Sequence, residues 1–229
     1  VTKEERTAMK SKLAEVREIT LKPLQRDHVV FCVKGKTPLV MNAMSFRAKA
    51  ILLGLKRRTP KPDPDREFRE ALYTYTDHDH ATRLWYPGTA FKQACMNAAL
   101  EIPGMVKRKV GIEMRMAQDV DIYGLPEVFT TTTRTLDRMD TKTMAILPRW
   151  CCYVGVDFIV PNLTPEAVAN LMNVAGEISG IGQWRMAFPG HGGEYGGWEL
   201  CGPDDPEFVA VKQMDREAQD AAIANPVIH

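Results

Sequence analysis

The 229-residue sequence contains no run of eighteen apolar residues, so no membrane-spanning helix is expected. It contains no Gly-x-x-x-x-Gly-Lys-Ser/Thr, which excludes the common nucleoside-triphosphate loop. Its cysteines are badly spaced for a metal: Cys32, Cys95, Cys151, Cys152 and Cys201 form no Cys-x-x-Cys pair, so no metal site is expected. They read as small buried hydrophobes in a reducing cytoplasm. Neither charge sign dominates. A net charge of +1 argues against wholesale attraction to polyanions but leaves room for a local basic groove. The first residues, VTKEERTAMKSKLAEVREI, lack the apolar stretch of a signal peptide, and a cytoplasmic location is expected.

What is present is an ordinary globular composition, 45% hydrophobic and 26% charged, enough for one large domain with an insertion. The charge is unevenly spread. Residues 47–58 carry Arg47, Lys49, Lys56, Arg57 and Arg58 with no acid, and residues 107–115 carry Lys107, Arg108, Lys109 and Arg115 against Glu113 alone.

Residues 1–22 alternate charge with Met9, Leu13, Val16 and Ile19 and predict an amphipathic terminal helix. His28–Lys34 is dense in β-branched residues and predicts the first core strand. A helix over Met44–Arg58 and a proline-rich loop over Thr59–Asp65 follow. Glu67–Tyr75 resumes helix or strand character. Leu84-Trp85-Tyr86 is a short strand, and Thr89 is the expected N-cap of a helix over Ala90–Leu100. Val110–Tyr123 and Phe129–Thr135 read as β-hairpin arms. Arg149–Pro161 is the longest apolar strand, with Val154, Val156, Phe158 and Val160 on one face. Thr164-Pro165 opens a helix that Gly180 stops. Tyr195–Cys201 is the last strand, and the chain from Asp204 onward is polar and alanine-rich. The expected class is α+β: a ferredoxin-like βαββαβ (RRM-like) core over 23–203, with a β-rich insertion at about 105–145, a helical extension over 1–22 and a polar tail over 204–229.

Two features can carry chemistry. Between Gly180 and Gly197 there are seven glycines in eighteen residues, more than a turn needs. Glycine lets backbone approach a ligand and exposes N–H groups to anions. Arg185 can hold a phosphate, and Trp184 or Trp198 can stack on a base; alternatively the tryptophans anchor the core. Gly180-x-Gly182 follows a helix, so the dinucleotide reading fails its context. The second feature, Pro87-Gly-Thr-Ala-Phe-Lys-Gln-Ala, leads a turn into a helix start with Lys92 in its first turn.

Together they resemble the RAMP superfamily, whose members include the backbone subunits of CRISPR effector complexes. Gly88, Thr89 and Lys92 match its helix-start motif, and Gly180, Gly182 and Arg185 its late glycine-rich loop. Gln93 departs from the small residue usual there. The chain also resembles short uncharacterised tailed-phage proteins that combine a Thr-Pro-Leu-x-Met segment, here Thr37–Met41, with a similar helix start and loop. The RAMP resemblance implies a non-catalytic subunit that binds single-stranded RNA, repeats along the strand in a homo-oligomer or ribonucleoprotein, and needs no cofactor or membrane. It implies phosphate contacts from Lys92, Arg185, Arg57, Arg58, Lys107 and Lys109, and a thumb-like hairpin from Val110–Met116 with Phe129–Met139. A phage single-stranded DNA-binding or annealing protein is an alternative. So is a RAMP-type RNA endonuclease, for which Asp77-His78-Asp79-His80 supplies loop histidines; a polar surface turn is the plainer reading of that segment, and no catalytic residue is expected.

Overall fold

The computed structural model describes residues 23–55, 63–75, 84–135, 138–187 and 192–229. The N-terminal extension, Arg57, Arg58, His78 and His80 lie outside them. The chain is α+β, with two antiparallel sheets and seven helices among the described residues.

The main sheet is assembled from distant segments. The strands β1 (Arg26–Gly35) and β8 (Cys151–Ile159) pair along nearly their whole length at its centre. β9 (Trp198–Cys201) closes the other side of β1. β5 (Asp119–Tyr123) pairs with one end of β8 and with β3 (Trp85–Pro87), while β4 (Met114–Met116) pairs with the other end. The order is therefore β3-β5-β8-β1-β9 with β4 beside β8.

Alternation along β8 explains both faces. Val154, Val156 and Phe158 are fully buried on one side under α3 (Gly88–Ala98) and α5 (Pro165–Ile178). Each such side chain contributes about 1.5–3 kcal/mol by leaving water. Phe91 of α3 lies 5.4 Å from Trp198, ring centre to ring centre, and Cys95 Sγ lies 3.4 Å from Met172 Sδ of α5. Thr164 caps α5 by accepting from Ala167 N–H, and Pro165 follows it.

The opposite face is covered in part by α6 (Pro206–Lys212), which lays Phe208 and Val211 over Cys151, with Cys32, Tyr123, Tyr153 and Cys201 around them. All five cysteines are free thiols. Burial pushes Cys95 and Cys151 up to about 12, as expected of packing residues.

The second sheet is the hairpin of β6 (Glu127–Thr135) and β7 (Arg138–Leu147), extended on β7's free edge by β2 (Leu39–Met41). Its base is core: Met144, Ala145, Ile146 and Leu147 are fully buried. The helix α2 (Pro64–Ala71) packs there, and Glu67 accepts the Thr143 N–H.

Several expectations change. α1 (Phe46–Leu52) is shorter than the predicted helix, and Leu53 and Leu55 beyond it are exposed. Asp63 and Pro64, expected in a loop, open α2 as cap and first helical residue. The segment from Lys107 to Glu113 is a helix, α4, because Val110 turns inward under α3. The hairpin is consequently β6 with β7; Met114–Met116 joins the main sheet instead. Thr89 is the second residue of α3, whose N-cap is Pro87, so Lys92 falls in the second turn. The polar segment from Asp204 forms α6 and α7 (Arg216–Ala224). Gln219 of α7 is fully buried, donating to the carbonyls of Ile122, Gly124 and Met214 and accepting the Leu84 N–H.

Candidate functional site

The two sequence motifs, about ninety residues apart by count in the chain, meet across one cleft of about 150 Å³. The α3 wall supplies Ala90, Gln93, Ala94 and Asn97, and the segment after α5 supplies Ser179, Gly180, Gly182 and Arg185. Tyr86 closes the floor. The spacing has a simple origin: Gln93 and Asn97 are four apart on a helix and share a face. α5 ends at Ser179, and Gly180, with φ 64°, turns the chain back toward α3.

Asn97 organises the polar groups. Its Oδ1 accepts from Gln93 Nε2 at 3.1 Å and from Lys107 Nζ at 3.3 Å, and its Nδ2 donates to Ser179 Oγ at 3.2 Å. A half-buried lysine is thereby tied to Asn97 of the lining. Arg185 Nη1 donates to the Gly182 carbonyl at 3.3 Å, which holds the guanidinium beside the loop that carries it. Burial pushes the Tyr86 phenol well above its ordinary value, reinforced by Tyr73; Arg185 and the Gly182 backbone oppose the shift. Tyr86 is therefore a neutral hydrogen-bonding group throughout the physiological range.

The glycines serve the protein's own backbone. A Cβ at Gly196 would lie 1.7 Å from the Ile181 carbonyl oxygen, at a residue whose φ is already 69°. Among its described residues the loop's N–H groups are largely used as well: Ile181 donates to Gly196, Gln183 to Val40, Gly196 to Pro38, and Gly197 to Thr37 Oγ1. The expected cradle of free amides is thus mostly a self-bonded double strand docked on β2. Gly88 behaves similarly. Its N–H donates to the Gln118 carbonyl, and a Cβ there would lie 1.8 Å from the Ala117 oxygen.

The remaining candidates separate. Trp184 takes φ 51°, a left-handed conformation that costs a non-glycine residue about 1–2 kcal/mol. Its ring is held 6.0 Å from Phe129 and 6.4 Å from Tyr195, so it braces the loop against the hairpin. Trp198 is fully buried with its Nε1 donating to the Met172 carbonyl; it cannot stack on a ligand. Lys92 is half-exposed and Thr89 exposed on the first two turns of α3. Lys109 reaches instead to the Asn162 carbonyl and Glu113, away from the cleft's lining. Asn97, Ser179 and Tyr86 escaped the sequence reading. The i, i+4 spacing of Gln93 and Asn97 was the available signal for the first; nothing local marks the other two.

No group of three metal-ligating side chains occurs among the described residues, and none of their helices is long and apolar enough to cross a membrane. No family model and no curated protein matches the sequence. Among solved structures, a chain of the cryo-EM structure of the Type III-B Cmr-beta bound to cognate target RNA aligns with 88% of this chain at 13% identity and a TM-score of 0.46. The alignment takes in 66% of that chain's length.

Proposed function

We propose that this protein binds single-stranded nucleic acid, RNA foremost, without cleaving it, and repeats along the strand as a subunit of an oligomer. The observation that carries the reading is the convergence of α3 and the Gly180–Arg185 segment on one small cleft, with Lys107 bonded to Asn97 of its lining. At about 150 Å³ the cleft is below the usual 300–1,000 Å³ of a small-molecule pocket. It suits one group of a longer chain: a phosphate against Arg185 and Lys107, or a base edge read by the Gln93 and Asn97 amides.

The main-sheet order supports a RAMP-like, ferredoxin-like core. With β1, β5, β8 and β9 taken as the four core strands and α3 and α5 as the two helices, the connectivity is βαββαβ and the order is 4-1-3-2. The β6–β7 hairpin takes the place of the thumb in this reading, and 23–203 is its domain. Lys92 and Thr89 extend the contact along α3, and Arg57, Arg58 and Lys109 are further phosphate contacts to be tested.

The test is titration of labelled single-stranded RNA and DNA of one sequence at two salt concentrations. Affinity should fall as salt rises, because each neutralised phosphate releases counterions. Arg185→Ala and Lys107→Ala should each weaken binding about tenfold. Absence of binding at low salt overturns the proposal. Tighter binding of DNA moves the ligand from RNA to DNA.

A further inference from the structure

Among the described residues, the main sheet's second face is only partly covered. Beyond the reach of Phe208 and Val211, three strands present a row of side chains to solvent. Arg115 of β4 stands opposite Asp157 of β8, and Asp157 stands opposite His28 of β1. Adjacent strands lie about 4.8 Å apart, so the row spans roughly 10 Å. Arg26, two residues before His28, lies on the same face of β1. The opposite pleat is the buried one, carrying Met114, Val156 and Phe158.

His28 Nδ1 and Asp157 Oδ1 are 2.7 Å apart, with 57% and 51% of the two side chains exposed. Beside a carboxylate, Nδ1 carries the proton, and Nε2 is left without a partner among the described residues. A Cβ at Gly155 would come within 3.1 Å of the His28 ring, so the imidazole lies close against the β8 backbone at that glycine. Arg115 and Arg26 are exposed and form no ion pair among the described residues, although Arg115 stands across from a carboxylate. The single acid of the row is already engaged by His28. Two unengaged guanidinium groups and an oriented imidazole on one open face fit the oxygens of a phosphate.

We infer that Arg26, His28 and Arg115 form a phosphate-binding site on the open face of the main sheet, with Asp157 as the positioning residue that fixes the imidazole. The site lies on the other side of the sheet from the α3 cleft and does not depend on it. Its ligand is a phosphate carried by a nucleotide or by the backbone of a strand.

The experiment follows the backbone amides of the ¹⁵N-labelled full chain while inorganic phosphate, uridine 5′-monophosphate and a short oligouridylate are titrated in turn. The amides of His28, Val30, Gly155 and Arg115 should shift together and saturate. Arg115→Ala should weaken that response about tenfold or more, the loss of a charge-assisted pair. Arg115→Lys should recover only part of it, because lysine keeps the charge without the fork. Asp157→Asn should weaken the response at His28 while leaving the dispersion of the remaining amides intact. An oligouridylate that binds tighter than the monophosphate, and loses that advantage in Arg115→Ala, identifies a strand as the source. Equal affinities identify a mononucleotide or free phosphate. A non-saturating response, or one unchanged in Arg115→Ala and Arg26→Ala, overturns the inference. Arg185→Ala keeps the two proposals separate: it should weaken the strand's contact with the cleft and leave the phosphate response of the row unchanged.

Discussion

The two faces of the main sheet are built from the same strands and do opposite things. On the α3/α5 face, Val154, Val156, Phe158 and Trp198 are sealed from water, and backbone segments approach so closely that Gly88 and Gly196 admit no side chain. On the other face, Val30 is 54% exposed, and His28, Asp157 and Arg115 stand in solvent until Phe208 and Val211 take over. The lesson is that a glycine-rich segment can belong to the tight face as packing while polar chemistry gathers beside it, at Asn97, Lys107 and Arg185. Replacing side chains on each face measures the difference. Trp198→Ala should cost about 3–5 kcal/mol, because it removes a fully buried indole and leaves a cavity. Gly196→Ala should cost about 3 kcal/mol or more, since the loop must open to relieve the contact with Ile181. Val30→Ala should stay within about 0.5 kcal/mol. Urea unfolding of the three variants checks the order, and a costly Val30→Ala would mean that the open face is covered in solution.

A second test concerns what joins the two sides. Gln219 reaches from α7 into the end of the sheet and satisfies the Leu84 N–H and three carbonyls. Gln219→Leu should cost about 1–3 kcal/mol, the penalty for leaving buried polar groups unpaired. Gln219→Glu should cost more, because a carboxylate cannot donate to the carbonyls. The same denaturation curves report both.

The tight face was the legible one. The alternation of Val154, Val156 and Phe158 and the Thr164-Pro165 start of α5 are local patterns, and the structure follows them. The open face and the hairpin were not, because they depend on pairing between segments far apart. Nothing in Val110–Glu113 distinguishes a strand from the helix it forms; the packing of Val110 beneath α3 decides it. The fully buried Gln219 lay in a segment whose polarity pointed to the surface, since its partners are carbonyls contributed by β5 and the turn after it. In the candidate site, glycine and arginine were visible as motif letters, whereas Asn97 gains its meaning only once Ser179 and Lys107 are brought to it.

The smallest expected effect is a pH dependence of the covered part of the open face. Lys34 of β1 is held by Asp205 at 3.0 Å, Glu199 at 3.2 Å and Glu207 at 3.3 Å, which ties the start of α6 to the sheet. The Asp205 carboxyl is held below its ordinary value, first by the Phe208 N–H and then by the Lys34 ammonium. Lys34 is pushed above its own, chiefly by the hydrogen bond to Asp205. A lowered carboxyl stabilises the fold fully above its unfolded value of about 3.9 and loses that contribution as pH falls through the lower folded value. A raised lysine stabilises it fully below about 10.4 and loses that contribution as pH rises through the higher folded value. The melting temperature should therefore be level between about pH 5 and pH 9 as far as this cluster is concerned, and fall on either side. Asp205→Asn keeps an oxygen to cap α6 but gives up the charge facing Lys34. It should flatten the acid limb while lowering the plateau by a few degrees at most. Thermal melts of the two chains across that range decide it, and an unchanged acid limb in Asp205→Asn would assign the acid sensitivity to other carboxylates.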